Sequence, residues 1–104
     1  MTFETIHNFY ERLVLKTIEM CHLTDEERNN VDFLEDVACC ALNRLPSKYV
    51  RYDVDLMFYM TAKEREHIEA LTYSAVMKAL DYVRSHSRDR EQAASYKKKH
   101  SNKK

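Results

Sequence analysis

The sequence contains no glycine, no tryptophan and a single proline, Pro46. A chain without glycine cannot build loops that need positive φ or a close backbone approach to phosphate, which excludes the P-loop and the dinucleotide-binding Gly-x-Gly-x-x-Gly turn. The same lack argues against a hairpin-rich β architecture, whose tight turns rely on Asn-Gly, Asp-Gly or Gly-X pairs. No stretch approaches the roughly 18 apolar residues of a membrane span, and Met1-Thr2-Phe3-Glu4, with no basic segment followed by an apolar run, is not expected to open a signal peptide. The expected location is the cytoplasm. Cys21, Cys39 and Cys40 are odd in number and the last two are adjacent, a pattern that suits free thiols in a reducing compartment.

What is present is a 104-residue chain, 44% hydrophobic and 33% charged, enough for one domain with one core. A domain of this size buries a limited share of its surface, so a homodimer is expected on size alone. The net charge is zero but unevenly spread. Residues 84–104 hold eight Lys/Arg against Asp89 and Glu91, or +6, so residues 1–83 carry −6. The chain reads as an acidic body, residues 1–90, with a basic tail, residues 91–104, expected to be disordered because no apolar face continues past Ala94.

Hydrophobic spacing predicts an all-α fold of three to four helices with an extended loop between the second and third. Ile6, Tyr10, Leu13, Val14, Thr17, Ile18 and Cys21 recur at three and four, the mark of a first helix. Phe9, Leu13 and Met20 form a second apolar ridge beside that face, read either as deeper burial or as a dimer seam. Thr24-Asp25-Glu26-Glu27 has the form of a capping box. A second helix follows on Val31, Leu34, Val37, Ala38, Ala41, Leu42 and Leu45 and stops before Pro46. The stretch Tyr49–Asp55 partly alternates and is expected to be extended but too isolated for a sheet, with a helical turn at Leu56–Tyr59 capped by Asp55. Thr61-Ala62-Lys63-Glu64 opens a third helix on Ile68, Leu71, Thr72, Ala75, Val76, Ala79, Tyr82 and Val83, expected to end near residue 85.

Two segments, Ile6-His7-Asn8-Phe9-Tyr10-Glu11-x-Leu13-Val14 and Ala41-Leu42-Asn43-Arg44-Leu45-Pro46-x-x-Tyr49-Val50, resemble the ComFB family of late competence proteins. Arg51-Tyr52-Asp53-Val54-Asp55 and the long third helix resemble its proteobacterial branch, and the likeness spans about residues 6–90. This resemblance implies a small helical bacterial signalling module, often a homodimer, without catalysis. Some members hold structural zinc through a cysteine cluster between the first two helices, and cyanobacterial relatives act as receptors for cyclic di-GMP. The matching stretch here offers only Cys21 and His22, which argues against zinc; Cys21-His22 with Cys39-Cys40 is a poor tetrahedral set because neighbours on a helix point about 100° apart. No cofactor is expected.

No serine, cysteine or histidine has a recognisable base partner, so the chain reads as a binding protein and not an enzyme. Arg44, Lys48, Arg51, Tyr52, Asp53 and Asp55 gather guanidinium, aromatic and carboxylate groups around a helix end and loop. These are the groups a cyclic dinucleotide would need: arginine for phosphate or guanine stacking, a ring for stacking, and a carboxylate for the guanine edge. The alternative is that Arg44 and Arg51 pair with Asp53 or Asp55 and simply fix the loop. Arg84 and Arg88 stand one helical turn apart and could meet phosphate, or could favour the end of their helix. The Lys97–Lys99 and Lys103–Lys104 tail could touch nucleic acid, but lacks interleaved aromatics and reads better as solubilising. The expectation is thus a regulatory module that binds cyclic di-GMP or an unidentified protein partner, with a purely structural homodimer as the alternative.

Overall fold

The computed structural model describes the backbone of residues 5–101 and the side chains of residues 5–86. Among the described residues, five helices and a two-stranded sheet follow in the order β1 (His7–Asn8), α1 (Tyr10–Glu19), α2 (Asp25–Arg28), α3 (Val31–Arg44), β2 (Tyr49–Val50), α4 (Asp53–Tyr59) and α5 (Ala62–Ser101). On α1, Tyr10, Val14 and Ile18 are buried at steps of four, the inward stripe of an amphipathic helix. The helix closes at Met20, whose N–H is shared between the Lys16 and Thr17 carbonyls at 3.3 and 3.1 Å.

The Thr24 capping box forms in both directions: Glu27 N donates to Thr24 Oγ1 at 3.1 Å, and Thr24 N to Glu27 Oε1 at 2.9 Å. Asn30, which lowers helix propensity, turns out to separate α2 from α3. Its Oδ1 accepts from Phe33 N at 3.1 Å and caps the new helix. α3 then buries Val37 and Ala41 and ends at Leu45, which is extended before Pro46.

The core joins α1, α3 and α5. Val14, Val37, Val76 and Leu80 are its largest fully enclosed side chains, with Ala41, Ala75 and Ala79 as small members. Thr72 is also buried, and its hydroxyl donates to the Ile68 carbonyl at 2.7 Å. Three residues expected inside lie outside: Ile6 precedes α1, Val31 stands in the first turn of α3, and Tyr82 is on the flank of α5. Ile6 and Val31 lie where a helix has yet to begin or is only beginning, and Tyr82 stands beside the Ala79–Leu80–Val83 face with its ring stacked on His86, centroids 4.0 Å apart. α5 is traced continuously to Ser101, past the expected end near residue 85. Neither glycine nor proline interrupts Arg84–Ser101, and Ala, Glu, Gln, Arg and Lys there all favour helix. The expected disordered tail, 91–104, lies outside the described side chains. No helix among the described residues is long and apolar enough to cross a membrane.

The stretch after Pro46 does form a sheet. Tyr49 pairs with Asn8 and Val50 with His7 in an antiparallel ladder, and Phe9 N donates to the Lys48 carbonyl at 2.6 Å. The missing partner strand is the segment before Tyr10, whose apolar spacing merges with that of α1. The helical turn expected at Leu56 is also longer, starting at Asp53 after an extended Tyr52, and Asp55 is inside its first turn instead of capping it.

Candidate functional site

Both segments that suggested a family meet at one corner of the molecule. Asn8 Oδ1 accepts from Tyr10 N at 3.1 Å, satisfying a free donor of the α1 start, and from Lys48 N at 3.3 Å. One side-chain amide therefore joins the first helix to the segment that follows α3. Phe9 and Tyr10, packed edge to face at 6.2 Å, anchor this corner in the core beside Leu45, and burial pushes the Tyr10 phenol up from its ordinary value.

His7 completes the corner. Its Nε2 donates to Asp53 Oδ1 at 2.6 Å and its Nδ1 lies 3.2 Å from the Thr5 carbonyl. Both ring nitrogens face acceptors, an arrangement only the imidazolium satisfies fully. The Asp53 hydrogen bond, followed by the Thr5 carbonyl, raises the His7 pKa from its ordinary value. Because the folded-state pKa is the higher one, the stability this pair contributes is fully present below about pH 6.5 and is lost as pH rises through the raised value. An NMR titration should place the His7 midpoint above about 6.5 in the native protein, and Asp53→Asn should return it toward that value; an unchanged midpoint would contradict the pairing.

Around this corner the expected ligand residues divide. Asp53 is half-buried and committed to His7, whereas Arg44, Lys48, Arg51, Tyr52 and Asp55 are exposed. Neither Arg44 nor Arg51 forms an ion pair with Asp53 or Asp55; the loop is fixed by His7 instead, and the Arg51 guanidinium lies 5.1 Å from the Tyr52 ring centroid. His7 and Asn8 are the positioning residues that helical periodicity concealed. Their polar, non-periodic character just before an apolar stripe was the available cue.

Arg84 belongs elsewhere. It grips Glu27 with Nε at 2.9 Å and a terminal nitrogen at 3.1 Å, and also donates to the His22 carbonyl at 3.0 Å. That bidentate pair holds the Glu27 carboxyl below its ordinary pKa and straps α5 to α2. Glu27 precedes α3 and Arg44 ends it, so 14 residues of helix, about 21 Å at 1.5 Å per residue, separate Arg84 from the loop cluster. Arg88 lies outside the described side chains.

Of the expected seam on α1, Phe9 is 6% exposed and part of the core, Leu13 packs partly against it, and Met20 is 78% exposed. The three do not form one surface. Cys21 is half-buried and donates to the Thr17 carbonyl at 3.2 Å, its thiol pKa raised by burial; Cys39 is exposed and Cys40 half-buried. Among the described residues no three His, Cys, Asp or Glu side chains converge as a metal site would require.

No curated protein and no solved structure matches the chain. The family model for late competence development protein ComFB matches residues 7–87, a span that begins at the His7–Asn8 strand, takes in the whole corner and ends just past the Arg84 strap. By that match the chain belongs to the ComFB family.

Proposed function

We propose that this chain is a non-catalytic bacterial regulatory module whose loop between α3 and α4 receives a cyclic dinucleotide such as cyclic di-GMP. The observation that carries this reading is the division of the loop's polar groups. Asp53 is locked to His7, while Arg51 lies over Tyr52 with both exposed, and Arg44, Lys48 and Asp55 are exposed as well. A held backbone with exposed guanidinium, aromatic and carboxylate groups supplies phosphate pairing, base stacking and a guanine-edge acceptor. Family membership supports the reading, because cyanobacterial relatives in that family act as receptors for cyclic di-GMP.

Calorimetric titration with cyclic di-GMP is expected to give saturable heat, weakened at least about tenfold by Arg51→Ala, since a charge-assisted contact is worth about 1.5–3 kcal/mol. Absence of both heat and thermal stabilisation at about 100 µM ligand would sink it, because a ligand well above its Kd must stabilise the native state. A second reading, a structural homodimer without a small-molecule ligand, is favoured by α4, where Val54, Phe58 and Tyr59 are 74%, 80% and 80% exposed and no residue is buried. A silent titration together with a sedimentation dimer dissociated by Phe58→Glu would select that reading. Nucleic-acid binding through the basic tail has no support among the described residues.

A further inference from the structure

At the end of the molecule away from the loop, residues of α1 and α3 border an open cleft of about 270 Å³. Ile18, Leu34 and Ala38 form its floor, and Leu15 and Val31 stand exposed on its two walls. Val31, Leu34, Glu35 and Ala38 lie at i, i+3, i+4 and i+7, so the α3 side of the cleft is two turns of one helix face, about 10 Å long. The floor is already built: Ile18 is buried, and Arg28 closes one end by donating to the Cys21 and Glu19 carbonyls at 2.9 and 3.5 Å.

The volume lies below the roughly 300–1,000 Å³ of small-molecule pockets, which suits it to one or two inserted side chains. The rim selects the kind of chain that brings them. Glu19 and Glu35, both exposed, border the apolar walls, and the cation in the lining, Arg28, is turned onto the Cys21 and Glu19 carbonyls. A two-fold pairing of copies through this face would set the same acidic rim against itself, because an isologous interface opposes like patches. A basic partner meets no such repulsion.

We propose that this cleft docks a cationic amphipathic helix of a partner protein, with apolar anchors between Leu15 and Val31 and Lys or Arg side chains over Glu19 and Glu35. The inference rests on the reading of the chain as a binding module, supplies the face through which it would act on a protein, and uses none of the loop residues. A helix laid in an apolar groove with anchors at i, i+3 or i+4, and i+7 is an established recognition mode.

The test uses two designed helical peptides with the same leucine face, one otherwise lysine-rich and one glutamate-rich, titrated by fluorescence anisotropy against the full chain. The lysine peptide is expected to bind, the glutamate peptide not. Leu15→Lys, an exposed position whose change spares the core, should weaken the lysine peptide at least about tenfold, and Glu19→Lys with Glu35→Lys should reverse the preference. Equal binding of both peptides, or undiminished binding to Leu15→Lys, would overturn the proposal. So would sedimentation showing a dimer that Leu15→Lys dissociates, which would assign the face to a second copy. Neither result bears on cyclic di-GMP, so the two readings fail separately.

Discussion

Leu80→Ala is expected to lower the unfolding free energy by about 2–5 kcal/mol, the range for removing a buried leucine together with the cavity it leaves. Leu80 is 1% exposed and sits among Val14, Val37 and Val76, each fully enclosed. Three helices wall this space, so none can shift inward to fill it without losing contact elsewhere. For a small domain whose total stability is about 5–15 kcal/mol, the loss is a large fraction of the whole. At roughly 4–8 °C per kcal/mol for a chain of this length, thermal denaturation followed by circular dichroism should show a midpoint at least about 8 °C lower. A loss under about 1 kcal/mol would mean that Leu80 is not enclosed as described.

Ala41→Leu probes the same interior from the opposite side. Ala41 is fully buried on the α3 stripe, one turn from Val37 and one turn from Leu45, and faces a core in which α5 contributes Ala75 and Ala79. Small side chains set how closely two helices pack. A leucine has no space there, so the expected cost is about 1–3 kcal/mol from overpacking. Chemical denaturation should reveal it as a lower midpoint with an unchanged slope. Cys39→Leu is the control: Cys39 is exposed two residues away on the same helix, and its replacement should stay within about 0.5 kcal/mol of the parent. Equal effects at 39 and 41 would contradict the helical phase of α3.

These two substitutions also bear on the loop. Leu45 is the last buried residue before Pro46, and Arg44 and Lys48 flank it. A displacement of α3 along its axis would move the groups offered to a ligand, and would also move Lys48 away from Asn8 and Phe9, its partners across the corner.

Much of the helical framework was legible because it rests on short-range rules. Tyr10, Val14 and Ile18 mark their own buried face, Thr24 and Glu27 cap each other within four residues, and Leu45 cannot remain helical before Pro46. The misread positions share a different property. His7 and Asn8 pair with residues more than 40 positions away, and no local pattern distinguishes a two-residue strand from the first turn of the helix beside it. The alternative in which Arg44 and Arg51 pair with Asp53 or Asp55 is not realised for the same reason, since nearby opposite charges in sequence gave no hint that His7 would take Asp53 first.

Sequence alone determined that this is a mainly helical domain, because the absence of glycine, the spacing of apolar residues and the caps all act within a turn or two of chain. Its family is carried by the runs around His7–Val14 and Ala41–Val50 and shown by the match over residues 7–87. Only tertiary structure decided what those runs do. It brought Asn8 to Lys48, His7 to Asp53 and Arg84 to Glu27, contacts set by how three helices pack around Val14, Val37, Val76 and Leu80. The same packing left Arg51, Tyr52 and Asp55 facing solvent at one end and opened an acid-rimmed apolar cleft toward the other.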